Sequence, residues 1–310
     1  MSLRQAAPGP DAPLAARLWQ YQSERFPLGR TMALVAVFAA SGVTLSAVLG
    51  GRALPGPGSY LAAFAVSFGL FLQLRAADEV KDADDDRRFR PERPVPRGLV
   101  GLRLLVATGG LAAAVQAVAA WLLAPGLLLL LGAVWAWLGL MSAEFFAPAW
   151  LRARPVLYLV SHMAVMPLID LWITAVDWLP RGGVPPGGLA PALLLSFANG
   201  CVLEIGRKTW VAERPGVESY SALWGIRPAI RVWLWVLCAA AGLAALTGGL
   251  AGAALPVAAV IAAALAWCAR QALAFHARPD AAGQRRLDTA SGVWVLVSYA
   301  TLGLLPALLR

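Results

Sequence analysis

The residues best suited to chemistry lie in one acidic segment, residues 75–98, which holds seven of the seventeen acidic residues of the chain. Asp78, Asp82 and Asp86 follow one another at intervals of four, so a helix through them would place all three on one face. Carboxylates that share a helix face repel each other, and a bound divalent cation would offset that repulsion. Mg²⁺ prefers oxygen ligands and is usually held by one or two carboxylates together with substrate phosphates. The spacing therefore favours a magnesium site, with a solvated run of charges as the alternative interpretation.

The elements that must position this segment are apolar. Of the 310 residues, 59% are hydrophobic and 14% are charged, and the mean hydropathy is +0.67. Ordinary soluble domains carry roughly 25% charged residues, so this composition excludes a soluble fold, and its hydrophobicity excludes a disordered chain. Nine apolar runs are long enough to cross a bilayer as helices: residues 31–51, 58–77, 98–123, 126–147, 155–179, 187–206, 226–249, 252–274 and 290–308. The sequence therefore predicts an all-α polytopic membrane protein, with a cytoplasmic amphipathic segment over 1–30 and a nine-helix transmembrane domain over 31–310.

The charges of the loops predict the orientation of these helices. With nine spans, the amino terminus and every second loop share one side of the membrane, and that side carries 23 of the 26 basic residues. Arg52, Arg181 and Arg310 are the three basic residues of the opposite side. Because basic loops remain in the cytoplasm, the amino terminus and the acidic segment are predicted to be cytoplasmic, in a bacterial-type cell membrane. The net charge of +9 follows from this topology and does not indicate a nucleic-acid partner.

The acidic segment resembles the first motif of the UbiA superfamily of intramembrane prenyltransferases. That motif, Asn-Asp-x-x-Asp-x-x-x-Asp followed by Arg-Pro-x-x-x-Gly, is similar to residues 78–86 and 93–98 of this chain. Asp78 stands in place of the family's asparagine and Glu79 in place of its first aspartate, and both replacements keep oxygen ligands. The resemblance implies nine transmembrane helices around a central cavity, Mg²⁺ as the cofactor and a prenyl diphosphate as a substrate. The metal ligands that it implies in this segment are Asp78, Glu79, Asp82 and Asp86.

The second motif of the family is expected after the sixth span, where residues 199–225 lie. Residues 216–225 are similar to its ending, Gly-x-x-Thr-Leu-x-x-x-x-Gly, but Lys208 and Ala212 stand where two aspartates are expected. Lysine binds phosphate as a point charge and arginine binds it through paired hydrogen bonds, so fixed cations would replace part of the metal charge. A charge that only sets the membrane topology is the alternative role for Lys208. We expect Glu204 to join the metal ligands, and the diphosphate to contact Lys81, Arg93, Arg207 and Lys208.

Polar side chains inside the apolar runs are costly, and they indicate function. Glu144 could orient a ligand or pair with an arginine. His162 and Asp170 lie eight residues apart in the fifth run, so both could face one cavity and deprotonate an acceptor or quench a cation. A structural hydrogen bond is the alternative for each, and Asp177 is expected to be solvated at the far interface. The candidates for the catalytic or acceptor pocket are Glu144, His162, Asp170, Glu213 and Tyr220.

Three functions fit these features. The first is a Mg²⁺-dependent prenyltransferase that moves an isoprenoid group from a prenyl diphosphate to a lipophilic acceptor, with membrane lipids around it. The second is an intramembrane terpene cyclase, which ionises the diphosphate without an acceptor. The third is a non-enzymatic carrier of isoprenoid lipids, although a transporter normally shows internal repeats with broken helices at the midplane. The acidic triplet favours the transferase, and the sequence leaves the acceptor and the prenyl chain length open.

Overall fold

The computed structural model describes residues 9–212 and 219–310, and this part of the chain consists of helices and connecting turns without a β-strand. The helices are α1 (Leu14–Arg25), α2 (Leu28–Leu49), α3 (Pro57–Lys81), α4 (Ala83–Phe89), α5 (Leu102–Leu123), α6 (Leu127–Ser142), α7 (Pro148–Arg152), α8 (Pro155–Met163), α9 (Val165–Trp178), α10 (Leu189–Arg207), α11 (Tyr220–Trp224), α12 (Ile226–Leu250), α13 (Ala254–Ala277) and α14 (Ala281–Leu308). The prediction of an all-α fold is confirmed.

The predicted spans correspond to helices of the structure. Eight segments within the described residues are long and apolar enough to cross a membrane: α2, α3, α5, α10, α12, α13, α14 and the stretch Pro155–Arg181, which contains α8 and α9. The remaining predicted span, the fourth in chain order, corresponds to α6, an apolar helix of 16 residues that is about 24 Å long. It ends at Ser142, before the predicted boundary at residue 147, because the backbone then turns away from helical geometry.

The fifth span is interrupted between Met163 and Val165, and the sequence explains why. Pro167 has no backbone N–H to donate to the carbonyl of Met163, and its ring crowds that carbonyl. The chain therefore ends α8 at Met163 and starts α9 two residues later. The interruption separates His162, at the end of α8, from Asp170 in the middle of α9.

The first and last spans pack against each other and close the bundle. A Cβ atom added to Gly303 of α14 would lie 2.6 Å from the Cα of Ser41 in α2, so the helices can approach this closely only at a glycine. Nearby, the rings of Phe38 and Tyr299 meet edge to face with centroids 4.9 Å apart. The fully buried indoles also hold helices together, since Trp172 donates to the carbonyl of Leu127.

Helix α1 packs against α3 and α5 at the end of the bundle that carries the acidic segment. Tyr21 is buried with Ala76, Val100 and Leu105. An ion pair of 2.8 Å between Glu24 Oε1 and Arg97 Nη2 adds a second attachment. Trp19, on the outer side of α1, is 69% exposed, which gives this helix two unlike faces.

The opposite end of the bundle contains a closed ionic cluster, and it corrects the expectation that Asp177 is solvated. Asp177 is 1% exposed. Its Oδ2 accepts from Arg52 Nη2 at 2.6 Å, and its Oδ1 accepts from Arg181 Nη1 at 2.8 Å. Arg310 donates to the carbonyls of Ala47 and Val48 in the last turn of α2. The three basic residues predicted for the far face therefore lie at the same end of the bundle.

Candidate functional site

The acidic segment is helical but bent at Asp82. α3 ends at Lys81 and α4 begins at Ala83, while the backbone bonds from Asp82 N to Asp78 O and from Asp86 N to Asp82 O continue across the junction. The bend gives the three aspartates different surroundings, because Asp78 is exposed, Asp82 is half-buried and Asp86 is buried. They do not form the uniform carboxylate face that an unbroken helix would present.

Two of the predicted metal ligands are occupied by arginines. Both carboxylate oxygens of Asp86 accept from Arg93 Nη1 at 2.8 Å, and Arg90 lies 3.1 Å from Oδ1. Glu79 is 1% exposed and accepts from Arg25 Nε at 2.7 Å. Arg93, predicted to contact a diphosphate, is thus the counter-ion of Asp86. These contacts fix the loop that follows the motif and attach α1 to the acidic segment.

Asp78 and Asp82 carry negative charge that their neighbours compensate poorly. Asp82 forms no ion pair with a residue in the described ranges, and the Asp78 carboxylate is 3.9 Å from Arg75 Nη1. Burial raises the pKa of Asp82, and the charges of Asp78 and Asp86 raise it further. Two close carboxylates with unused oxygen atoms suit a hard divalent cation. No three Asp, Glu, His or Cys side chains of the described residues lie close enough to form a metal cluster by themselves.

The second polar segment brings cations to the same end of the bundle. Glu204 lies in the last turn of α10, where its Oε2 accepts from Arg207 Nε at 2.6 Å and its Oε1 is 2.8 Å from Lys208 Nζ. The Asp78 carboxylate is close enough to Arg207 to act on it electrostatically. Glu204 is therefore a counter-ion of Arg207 and Lys208. Its single negative charge balances one of their two positive charges, and the other remains uncompensated by Glu204.

Tyr220 lies beside Lys208, although twelve positions separate them in the sequence. The backbone N–H of Tyr220 donates to the carbonyl of Lys208 at 3.0 Å, and the Tyr220 ring packs on Trp224 with centroids 4.9 Å apart. Burial raises the pKa of the Tyr220 hydroxyl, and the charge of Glu204 adds to this shift. Tyr220 is thus placed beside the cationic segment, whereas Glu213 lies outside the described residues.

A further polar cluster links Lys81 to Glu144, Tyr158 and His162. Lys81 Nζ is 2.8 Å from Glu144 Oε1 and 2.7 Å from the Tyr158 hydroxyl. The rings of Tyr158 and His162 stack with centroids 3.9 Å apart. Lys81, predicted to bind diphosphate, therefore connects the acidic motif to two of the predicted acceptor-pocket residues.

Glu144 reaches Lys81 from an unusual backbone conformation. Glu144, Phe145 and Phe146 have φ angles of 46°, 53° and 58°, a left-handed region that non-glycine residues rarely adopt. Such residues cost on the order of 1–3 kcal/mol each, and they cluster at functional sites. The turn also places Phe145 between Trp137 and His162, with ring centroids 5.4 and 6.2 Å away.

Comparison with solved structures agrees with this arrangement, whereas no protein-family model and no curated protein matches the sequence. A digeranylgeranylglyceryl phosphate synthase superposes with a TM-score of 0.64 at 13% identity, over 94% of this chain and 99% of the other. The apo structure of a UbiA homolog from Aeropyrum pernix K1 superposes with a TM-score of 0.64 at 19% identity, over 86% of this chain and 96% of the other.

The chain has a UbiA fold. This confirms the fold that the resemblance of the acidic segment implied, and the apolar helices support an integral membrane protein. In this UbiA fold the two polar segments, although separated by more than a hundred residues, lie at one end of the bundle.

Asp170 belongs to a different part of the UbiA fold from His162. Its Oδ2 accepts from the Tyr299 hydroxyl at 2.8 Å, and that hydroxyl is 3.0 Å from Ser196 Oγ. Asp170 also borders a cavity of about 20 Å³, and its Oδ1 has no hydrogen-bond partner among the described residues. The structure therefore does not place Asp170 and His162 in one shared contact.

A cleft of about 420 Å³, open at the surface of the bundle, lies between α3, α5 and α6 of the UbiA fold. Small residues make room for it, including Ala77, Gly109 and Gly139, and most of its surface is apolar. Lys81 and Ser142 lie at its polar end, next to the cluster described above.

Sequence reasoning missed Tyr158 and Arg25. Tyr158 lies four residues before His162, so it shares a helix face with that residue, and this spacing could have identified it. No local pattern connects Arg25 to Glu79, because 54 residues separate them.

Proposed function

We propose that this protein is a Mg²⁺-dependent intramembrane prenyltransferase, which moves an isoprenoid group from a prenyl diphosphate to a lipophilic acceptor. One observation carries the proposal: poorly compensated carboxylates and fixed cations meet at one end of an apolar helical bundle. A diphosphate needs cations around it, whereas its isoprenoid chain needs apolar surroundings. The UbiA fold of the chain supports the proposal, and one structural neighbour is named as a synthase of a digeranylgeranyl product.

Asp78 and Asp82 fit the metal better than the larger set expected from the sequence. Among the described residues, their oxygens lie at hydrogen-bond distance from no arginine or lysine side chain, in contrast to both oxygens of Asp86 and Glu204 and to Oε1 of Glu79. Mg²⁺ is commonly held by one or two carboxylates and completed by substrate phosphates, so two aspartates are enough. When bound there, it would neutralise the negative charge that develops on the departing diphosphate.

Arg207 and Lys208 would hold the diphosphate directly. Glu204 keeps both side chains at the membrane surface, and their summed charge with Glu204 is positive. Arginine can bind two phosphate oxygens in parallel, and lysine adds a movable point charge. Electrostatic groups placed in advance around a leaving group lower the barrier most effectively where water is excluded. We assign these two residues to binding of the diphosphate and stabilisation of the leaving group.

The end of the bundle that carries the acidic segment, residues 75–98, would face the cytoplasm, and it is called the motif end below. The opposite end, which carries Asp177, is called the far end. The predicted topology assigns 23 of the 26 basic residues of the sequence to the motif-end side of the membrane, and basic segments remain on the cytoplasmic side. Water-soluble diphosphate would therefore bind at the cytoplasmic surface, with its chain directed between the helices.

The test is release of pyrophosphate by the purified protein in detergent, given geranyl, farnesyl or geranylgeranyl diphosphate and Mg²⁺. A membrane lipid extract supplies the acceptor, and organic products are identified by mass spectrometry. We expect release and a prenylated lipid, both dependent on Asp82 and on Mg²⁺. Release that yields a cyclic hydrocarbon without extract would contradict the transferase, and no release with any of the three substrates would contradict an enzyme of this class.

A further inference from the structure

The hydrogen bonds of His162 fix which of its ring nitrogens carries a proton. Nδ1 lies 2.9 Å from the backbone carbonyl oxygen of Tyr158. A carbonyl oxygen can only accept a hydrogen bond, so Nδ1 must be the donor. In the neutral ring, Nε2 is then an unprotonated nitrogen with an available lone pair. The Tyr158 carbonyl therefore leaves Nε2 as the hydrogen-bond acceptor of the ring.

The unprotonated Nε2 of His162 receives no hydrogen bond from the described residues, and it is buried. Glu144 Oε2, in the same cluster, is also buried without a hydrogen-bond partner, and the nearest cation is Arg152 Nε at 3.8 Å. Lys81 is already bonded to Glu144 Oε1 and the Tyr158 hydroxyl. Buried acceptors that lack donors are costly, and in native proteins they usually have a partner, here one that is supplied from outside the chain.

The missing partner must donate a hydrogen bond. A diphosphate offers only acceptor oxygens and would be repelled by Glu144, so it does not fit here. We propose that the cluster of Lys81, Glu144, Tyr158 and His162 binds the hydroxyl group of the acceptor lipid, with His162 Nε2 as the base that takes its proton. This inference rests on the proposed prenyl transfer, and it narrows the acceptor to a hydroxyl-bearing lipid.

The cleft between α3, α5 and α6 supports the same occupant. It opens at the surface of the helical bundle, is largely apolar, and has a volume of about 420 Å³, within the range of roughly 300–1,000 Å³ that is typical of small-molecule sites. Its polar end is formed by Lys81 and Ser142, two residues before Glu144. An acceptor whose apolar body lay in the cleft would therefore present its polar end to the cluster.

The proposed step balances as a substitution at the first carbon of the prenyl group. The acceptor oxygen forms a bond to that carbon, and the bond from carbon to the diphosphate oxygen breaks with its electron pair leaving on diphosphate. The hydroxyl proton passes to His162 Nε2. The Tyr158 carbonyl then continues to accept from Nδ1–H, so it stabilises the imidazolium that results.

The state of the ring can be measured without turnover. The chain has two histidines, so His276→Gln leaves His162 as the only histidine signal in a ¹⁵N-histidine-labelled sample. We expect the ¹⁵N shifts of the neutral ring to show protonated Nδ1 and unprotonated Nε2. A ring with protonated Nε2 would overturn the assignment.

The catalytic role is tested with His162→Asn, whose side-chain amide can still donate to the Tyr158 carbonyl. The probes are farnesyl thiolodiphosphate for binding, and farnesyl diphosphate with membrane lipid extract for transfer. We expect affinity within about 2-fold of wild type and transfer lower by about 10²- to 10⁴-fold. His276→Gln should retain both properties, and His162→Gln is the second variant should His162→Asn fail to fold.

The outcomes separate this inference from the proposed function. Wild-type transfer with undiminished transfer by His162→Asn overturns the base and leaves the prenyltransferase in place. A wild-type protein that neither binds nor cleaves the prenyl diphosphates overturns both. Products in which the prenyl group is bonded to carbon or nitrogen, rather than to oxygen, overturn this inference and leave the prenyltransferase in place.

Discussion

The two ends of the bundle both carry charged side chains, but they use them differently. At the far end, both oxygens of Asp177 accept from arginines at 2.6 and 2.8 Å, and Ser46 donates to the same carboxylate at 3.0 Å. At the motif end, Asp82 has no ion-pair partner among the described residues, and His162 Nε2 has no hydrogen-bond donor. The far end is a completed cluster, and the motif end is an incomplete one.

The backbone shows the same contrast. At the far end, the last turn of α2 is closed by backbone bonds from Gly51 and Arg52 to the carbonyls of Val48 and Ala47, and Arg310 donates to the same two carbonyls. At the motif end, residues 144–146 occupy a strained left-handed conformation. Strain and uncompensated charge are typical of sites that bind a ligand. The number of charges in a region is therefore less informative about function than whether those charges are paired with one another.

Of the substitutions that distinguish the two ends, Asp82→Asn is expected to have the largest effect on activity. Removal of this carboxylate should lower Mg²⁺-dependent pyrophosphate release by about 10²- to 10³-fold, the usual loss for one preorganised electrostatic group. Thermal unfolding should shift little, because the variant also removes repulsion from Asp78 and Asp86. The matched control is Asp84→Asn, whose side chain is 95% exposed. Equal activity of the two variants would contradict the assignment.

Asp177→Asn should have the opposite profile. It leaves Arg52 and Arg181 without their charged partner, and we expect a loss of about 2–3 kcal/mol in unfolding free energy, reduced from the value for a fully buried pair because both arginines are partly exposed. Activity per folded molecule should be unchanged. Thermal unfolding in detergent, with exposed Glu92→Gln as the control, measures this. Lost activity in a protein of normal stability would break the contrast between the two ends.

Arg25→Ala tests whether Glu79 is structural. Since Arg25 is one of two arginines on this buried carboxylate, its loss should cost about 1.5 kcal/mol, typical of a hydrogen bond to a charged group. Hydrogen exchange of α1 should increase, while affinity for farnesyl thiolodiphosphate stays within about 3-fold, since ordinary surface effects are of that size. Exposed Arg30→Ala is the control. Loss of Mg²⁺-dependent binding with α1 still protected would instead indicate a ligand role for Glu79.

Phe146→Gly should give the smallest effect, and a favourable one. Phe146 is 82% exposed and has a φ of 58°, so glycine relieves strain and sacrifices little packing. We expect about 1 kcal/mol greater stability than in Phe146→Ala, which keeps the strained backbone without the ring. Comparison of the two unfolding midpoints in detergent is the measurement. An alanine variant as stable as the glycine variant would show that the turn is not strained.

Much of the fold could be predicted because the bilayer imposes a length on each apolar run. All nine predicted spans have a corresponding helix in the described residues. The end of α6 could not be predicted, since hydropathy does not register a left-handed turn at Glu144. The pairing of Asp177 with Arg52 was also missed, because it joins residues 125 positions apart.

The sequence indicated which residues lie at the site more readily than which partner each of them contacts there. The spacing of the acidic triplet indicated Asp78 and Asp82, but Glu79 lies on another side of α3, where Arg25 and Arg75 meet it. Glu204, predicted to bind metal, is paired with Arg207 and Lys208 in the structure. These roles depend on which side chains arrive from other helices, and that information is not local in the sequence.

Binding of farnesyl thiolodiphosphate with Mg²⁺ is the measurement that shows whether the motif end binds the prenyl diphosphate. Two double variants each remove two positive charges and change the net charge from +9 to +7: Arg207→Gln with Lys208→Gln at the motif end, and Arg52→Gln with Arg181→Gln at the far end. At equal ionic strength, the motif-end pair should weaken binding by about 100-fold, as expected for loss of two charge-assisted contacts, and the folded fraction of the far-end pair should bind as wild type does. Equal affinities in the two double variants, or a greater loss at the far end, would contradict the account.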